Sequence, residues 1–270
     1  EEIAKDPTST PKLAKKPPSI WLIHDARPGH LTQLAGIARQ MAAHHTVNIR
    51  WKTARESKLS WFSLLKRKTK TEAANRPRLI IGAGHKTHKA VLLNAHKFQA
   101  FSALIMKPSL PTSWFDAIIT PRHDGLQESK RILNTLGTLN KITPPDTADT
   151  PRNKYLILIG GPSKHFLWDE QALCQKIAVI CQHYRDKPWS LSDSPRTPRS
   201  FISKIQSLGI TNLTIHHHLD KSFGALDTNL RYSALTWVTP DSMSMLYESL
   251  TAGSPTAILD LRPRHKTKLT

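Results

Sequence analysis

Short apolar runs, each closed by Gly, Pro or a polar turn, alternate along this chain with longer amphipathic stretches, and that alternation restricts the fold more than any other feature. IWLIH (20–24) is followed by LTQLAGIARQMAAHH (31–45), where Leu31, Leu34, Ala35, Ala38 and Met41 recur at helical spacing; VNIRW (47–51) then reads as a strand. The pattern continues through RLIIGAG (78–84), KAVLLNAHKF (89–98), FSALIM (101–106) and FDAIIT (115–120). Strands separated by helices define βαβ units and a parallel sheet.

The alternation stops in KITPPDTADTPRNK (141–154), which is Pro-rich and aperiodic, and restarts with YLILIGG (155–161) and the helical DEQALCQKIAVICQHY (169–184). PWSLS (188–192), PRSFISKIQSLG (198–209), NLTIHHH (212–218), LTWVTP (235–240), MSMLYESLTAG (243–253) and PTAILDL (255–261) complete it. The expected class is α/β, with two tandem Rossmann-like domains facing a cleft. A charged, Pro-rich tail covers 1–19, a first domain 20–140, a linker 141–154 and a second domain 155–270. Ligands of such sheets bind outside the carboxyl ends of the strands.

Charge narrows the partners. With 39 Lys and Arg against 20 Asp and Glu the formal charge is +19, far beyond what solubility needs, so the expected partners are anions. The aromatic residues are not interleaved with the basic ones as single-strand nucleic-acid readers require, so no specific nucleic acid is expected. The exception, ESKLSWFSLLKRKTK (56–70), suits either a helix on an anionic membrane surface or a core-facing helix with a solvated basic end. No run approaches a membrane span, and Cys174 and Cys181, seven apart on one helical face, read as buried thiols.

Two loops carry chemistry. In YLILIGGPSKHF (155–166) a buried strand ends in Gly160-Gly161 and runs through Ser163 and Lys164 toward a helix, where glycines and exposed N–H groups suit a phosphate. In TPDSMSMLYESLTAGSPTAIL (239–259) Asp241 and Ser242 read as caps of a helix that offers Ser244 in its first turn. Glu248, between Leu246 and Leu250, is suited to accept hydrogen bonds from paired ribose hydroxyls. His216, His217 and His218 suggest a metal, but adjacent strand positions face opposite ways, and no acidic D-x-D motif is present, so no metal and no cofactor is expected.

DARPGHLTQLAGIARQM, LIIGAGHKTHKA, FDAIITPRHDGL, LNTLGTLNKITP, LILIGGPSKHF, SPRTP and VTPDSMSMLYESLTAGSP resemble, in this order over roughly 20–261, a bacterial and plant family classed with the GT-B glycosyltransferases. Its plant members give it a second label, mitochondrial fission factor of the "elongated mitochondria" type. The resemblance implies a GT-B architecture with the acceptor domain first and the nucleotide-sugar domain second. Gly160, Gly161, Ser163 and Lys164 would then border a donor diphosphate, Ser242 and Ser244 would hydrogen-bond it, and Glu248 would take the ribose. Arg196 and Thr197 would line the nucleotide side of the cleft.

On the acceptor side, the Pro28-Gly29 turn of HDARPGH (24–30) would approach the donor, with His30 as general base and Asp25 orienting it or serving in its place. His85 and Lys86, with His123 and Asp124, would bind the acceptor. The expected activity is metal-independent transfer of a sugar from a nucleotide-sugar to a cell-surface glycan or a phosphorylated or lipid-linked acceptor. Its expected place is cytoplasmic, peripheral on the inner membrane at an anionic surface. The competing reading is a non-catalytic protein that recruits a partner to a membrane. Two features depart from the family: Ala26-Arg27 stands where a Gly and a basic residue are more usual, and the second domain reads as truncated at RHKTKLT, where a helix normally crosses back to the first.

Overall fold

The computed structural model describes residues 16–64, 76–144, 151–220 and 223–264. Most of the tail, the basic run at 66–70, the middle of the linker and the last residues of the chain lie outside these. The first domain runs β1 (Ser19–His24), α1 (Pro28–His44), β2 (Asn48–Thr53), β3 (Pro77–Ala83), α2 (His88–Phe98), β4 (Phe101–Ile105), β5 (Ala117–Pro121) and β6 (Ile132–Thr135). Its sheet is six-stranded and parallel, in the order β2-β1-β3-β4-β5-β6. The second runs β7 (Lys154–Leu158), α3 (Glu170–His183), β8 (Trp189–Ser192), α4 (Arg199–Ser207), β9 (Leu213–His216), α5 (Leu226–Arg231), β10 (Ser233–Val238), α6 (Met243–Thr251) and β11 (Thr256–Ile258). Its five parallel strands are ordered β11-β10-β7-β8-β9.

The apolar runs become strands because both faces of each sheet are covered. Along β1, Ile20 and Leu22 pack with Leu34 of α1 on one face, while Trp21 and Ile23 pack with Ala90 and Val91 of α2 on the other. In the second domain Ile157, Trp189 and Leu191 pack with Leu173 and Ile177 of α3 and Phe201 of α4. Cys174 and Cys181 are buried and unbonded, and burial pushes the Cys181 thiol up to about 11. At that value it holds almost no thiolate at neutral pH.

Three elements differ from expectation. β6 and α5 are too short to leave a periodic signal in the sequence, and β6 keeps Leu133 exposed at the sheet's end. The described part of the 56–70 segment holds a single 3-10 turn at Trp61–Leu64 rather than a helix. Trp61 and Phe62 are exposed there, with Trp61 edge-on to Trp114 at 6.4 Å and under the Lys89 ammonium at 5.0 Å.

The strand orders put the loops of interest in place. Chain direction across each sheet reverses between β1 and β3 in the first domain and between β7 and β10 in the second, the switch points where α/β sheets open a crevice. The segments after β1, β3, β7 and β10 are those that begin DARPGH, GHKTH, IGGPSKH and TPDS. The domains meet through α1 and α6. Thr32 of α1 bonds Glu248 of α6, while Asn140, at the end of the first domain, donates to Tyr247 O at 3.3 Å and to Thr251 Oγ1 at 2.9 Å.

Candidate functional site

β1 delivers Asp25 to the cleft as its side chain becomes buried, 2% exposed. Ala26 then takes φ 65°, a left-handed conformation that costs an L-residue about 1 kcal/mol and that glycine would adopt freely. The turn carries the chain into α1 with Pro28 at its first position, so that His30 faces back onto Asp25, Nδ1 to Oδ1 at 2.7 Å. A proton on Nδ1 in this bond leaves Nε2 as the ring's free basic atom. Burial pushes the Asp25 carboxyl up, but the hydrogen bond and charge of His30, with Arg27, hold it below its ordinary value. Gly84, at φ 94°, closes over the pair: a Cβ there would lie 2.3 Å from His30 Nδ1 and 2.7 Å from Asp25 Oδ2.

His85 and Lys86 follow Gly84 on an exposed 3-10 turn at the same edge. Behind them His88 is buried, with Nδ1 3.0 Å from Ser109 Oγ, and burial together with His85 and His30 lowers its pKa to about 4. An unfolded histidine takes its proton near pH 6.5, so stability falls as pH drops below 6.5 and continues to fall to about 4. The whole step is on the order of 3 kcal/mol. Chemical denaturation across pH 4–7 should show this loss in the native chain and a flatter profile in His88→Gln. His123 and Asp124 follow β5 at the carboxyl edge of the first sheet. Asp124 is held by Thr120 Oγ1 at 2.9 Å and by Lys107 N–H at 3.3 Å, with His123 3.9 Å away, and neither bonds the His30 group.

Across the cleft, the Gly160-Gly161 reading needs correction. Gly160 N–H donates to Thr239 Oγ1 at 2.8 Å and Gly161 N–H to Asp241 Oδ2 at 2.9 Å, so both amides are already engaged. The loop does not run straight into a helix: α3 starts at Glu170, capped by Asp169 through Ala172 N–H. Ser163 Oγ accepts from His165 and Phe166 N–H and so shapes the loop, while Lys164 is exposed and makes no hydrogen bond or ion pair among the described residues. Thr197 Oγ1 and Ser194 Oγ donate to Gly160 O, which makes Thr197 a brace of the loop.

Asp241 is the second correction. Rather than capping α6, its fully buried carboxylate reaches back to Gly161 and to Arg196 Nη2 at 2.8 Å, and its Oδ1 has no partner among the described residues. Arg196 also donates through Nη1 to Gly161 O and Pro162 O at 3.4 Å, yet stays 45% exposed. Ser242 stands at the N-cap without a side-chain cap bond, and the Ser242 and Ser244 hydroxyls have no partner among the described residues. The first-turn N–H groups of α6 therefore have no side-chain acceptor. Glu248, 8% exposed, accepts from Thr32 Oγ1 at 3.2 Å. Burial raises its pKa, against the pull of Thr32 and Lys141. Gly29 closes the gap between domains: a Cβ there would be 3.1 Å from Ser244 Oγ.

A sequence model of the family described as "Mitochondrial fission ELM1" matches residues 28–270. The chain belongs to that family. The ELM1-family chain is also 26% identical over 294 aligned positions to an uncharacterized protein, RP120, of Rickettsia prowazekii (strain Madrid E), a match covering 88% of this chain and 82% of the relative. Its fold is that of GT-B-type proteins. The UDP-GlcNAc 2-epimerase of Neisseria meningitidis, solved with UDP-GlcNAc bound, superimposes with a TM-score of 0.53 at 14% identity, over 93% of this chain and 84% of that one. The glycotransferase of kitacinnamycin does so with a TM-score of 0.50 at 12% identity, over 90% and 80%.

In this ELM1-family chain, His30, Asp25, Gly29, His85 and Lys86 gather on one wall of the cleft. Ser242, Ser244, Glu248, Arg196 and the Gly160-Gly161 loop gather on the other. Sequence reasoning missed Thr32 and the true role of Asp241. Asp before a helix signals a cap, and only the approach of β7 to β10 reveals the alternative. A cavity of ≈ 450 Å³ between α1 and β3–β5 contains none of these residues. Its walls are mostly apolar, with Arg39 and Lys141 among the lining residues. Among the described residues no helix is long and apolar enough to cross a membrane.

Proposed function

We propose that the chain is a glycosyltransferase that moves a sugar from a nucleotide-diphosphate donor to a cell-surface glycan or lipid-linked acceptor. The observation that carries this reading is the pairing of the two walls. A His30–Asp25 dyad from the first domain faces the unshared start of α6 and the buried Glu248 carboxylate from the second, within one cleft. Paired ribose hydroxyls would replace Thr32 on Glu248. The diphosphate would lie on the first-turn amides of α6 and the Ser242 and Ser244 hydroxyls, with Arg196 and Lys164 meeting its charge. Gly160 and Gly161 shape the wall beside it. His30 Nε2 takes the proton of the acceptor hydroxyl while Asp25 holds the tautomer, and His85 and Lys86 attract an anionic acceptor. The +19 charge and the exposed Trp61 and Phe62 favour an acceptor at the anionic cytoplasmic face of a membrane.

The test is a thermal-shift panel of nucleotide-sugars and nucleoside diphosphates on the native chain and Glu248→Gln. At a hundredfold excess over Kd a bound ligand adds about 2.7 kcal/mol. One nucleotide class should raise Tm in the native chain and leave Glu248→Gln unchanged. Without ligand the variant should melt higher at neutral pH. The folded Glu248 holds its proton to higher pH than the unfolded one, so stability falls as pH rises through that window and the deficit persists above it. A panel without response would favour the recruiting role instead.

A further inference from the structure

We infer that Asp193, His217 and His218 form a binding site for a zinc-class divalent transition ion at the carboxyl edge of the second sheet. β8 and β9 are parallel neighbours with Ser192 opposite His216, so the residues that follow each strand emerge side by side. Asp193 N–H extends the ladder to His216 O at 3.2 Å, and its carboxylate is 3% exposed. The expectation that consecutive histidines point to opposite faces applies only within a strand. β9 ends at His216, and the turn that follows brings both later rings to one carboxylate, their centroids 4.1 Å apart.

One of the two ring contacts is too long for a hydrogen bond, and the other is a hydrogen bond that an ion would replace. His217 Nε2 lies 3.6 Å from Asp193 Oδ2, too far for a hydrogen bond, and His218 Nδ1 lies 2.9 Å from Oδ1. One candidate ligand atom from each residue falls within 4.8 Å of the others. Bonds of about 2.0–2.2 Å around a tetrahedral ion set neighbouring ligand atoms about 3.3–3.6 Å apart. Two imidazoles and one carboxylate are a borderline nitrogen and oxygen set that suits zinc, and three protein ligands leave a fourth position open. His218 N–H also bonds Asp193 Oδ1, the kind of outer contact that orients a ligating carboxylate. Two contacts oppose coordination, the His218 Nδ1–Asp193 Oδ1 hydrogen bond, which an ion at Nδ1 displaces, and a bond to His217. Leu219 N–H points at His217 Nδ1 at 3.3 Å, and ligation through Nε2 moves the proton to Nδ1 and releases this long, exposed bond. A bound ion ties the β9 turn to Ser194, whose hydroxyl holds Gly160 O, and so stiffens the brace of the Gly160-Gly161 loop.

The experiment strips the full chain with chelator, equilibrates it with zinc, dialyses it and measures metal content, with cobalt absorption as a geometric readout. The native chain should retain one equivalent of zinc and give intense tetrahedral cobalt bands. His217→Ala, at a half-exposed position that tolerates the change, and His218→Ala should each weaken binding by at least about tenfold. With 14 histidines in the chain a surface control is needed, and the exposed His44→Ala should leave binding unchanged. No retained zinc in the native chain, full retention by both site variants, or loss in the His44 control overturns the inference.

Discussion

His30→Gln should slow sugar transfer by about 10²–10⁴-fold while leaving donor affinity nearly unchanged, because a general base acts on the acceptor proton and not on the nucleotide. The companion Asp25→Asn separates orientation from basicity. With an amide in place of the carboxylate, the 2.7 Å partner no longer demands a proton on Nδ1, and the population with a free Nε2 base shrinks. The rate should fall with kcat rather than KM. If Asp25→Asn is nearly inactive and His30→Gln is not, Asp25 is the base. A stability signature accompanies it. The Asp25 carboxyl is held below its unfolded value, so its contribution to folding is present at neutral pH and is lost as pH falls through the lowered folded value. Asp25→Asn should remove that acid-side loss, whereas the His88 loss lies at higher pH, between about 6.5 and 4. The two variants therefore flatten different parts of one denaturation profile.

The second large effect is expected at Asp241. Asp241→Ala leaves the Gly161 N–H without its acceptor and the Arg196 guanidinium without its buried carboxylate partner. Arg196 is 45% exposed and water can take up its charge, so the main loss is the acceptor of the Gly161 N–H, about 1–3 kcal/mol, and the variant should melt below the native chain. Asp241→Asn is the informative control. Its amide oxygen can still accept from Gly161 N–H, but the charge that fixes Arg196 is gone. If Arg196 serves the diphosphate, Asp241→Asn should bind nucleoside diphosphate about tenfold more weakly and bare nucleoside equally well. Equal loss for both ligands would mean that the carboxylate supports only the loop. Asp241 Oδ1 is buried and has no partner among the described residues, which adds to the cost of the native carboxylate.

The α/β architecture was legible in the chain because parallel strands covered on both faces leave continuous apolar runs such as ILIG, and helices between them leave 3.6-residue periodicity, as in α1. The loops that matter were also legible, since Gly, Pro, Asp and His cluster where strands end. β6 and α5 were not, being too short for either period to register. What each loop residue does was decided by tertiary structure alone. Asp241 carries the local signature of a helix cap, and becomes the brace of Gly161 only because β7 and β10 are neighbours across the switch point. Gly160 and Gly161 look like phosphate donors until the partners of their amides are known. The imidazoles of His217 and His218 converge because β9 ends one residue earlier, a boundary that hydropathy does not mark. Local sequence determines which backbone conformations are cheap. Which polar groups remain free to act is determined by the strands and helices that the fold brings beside them.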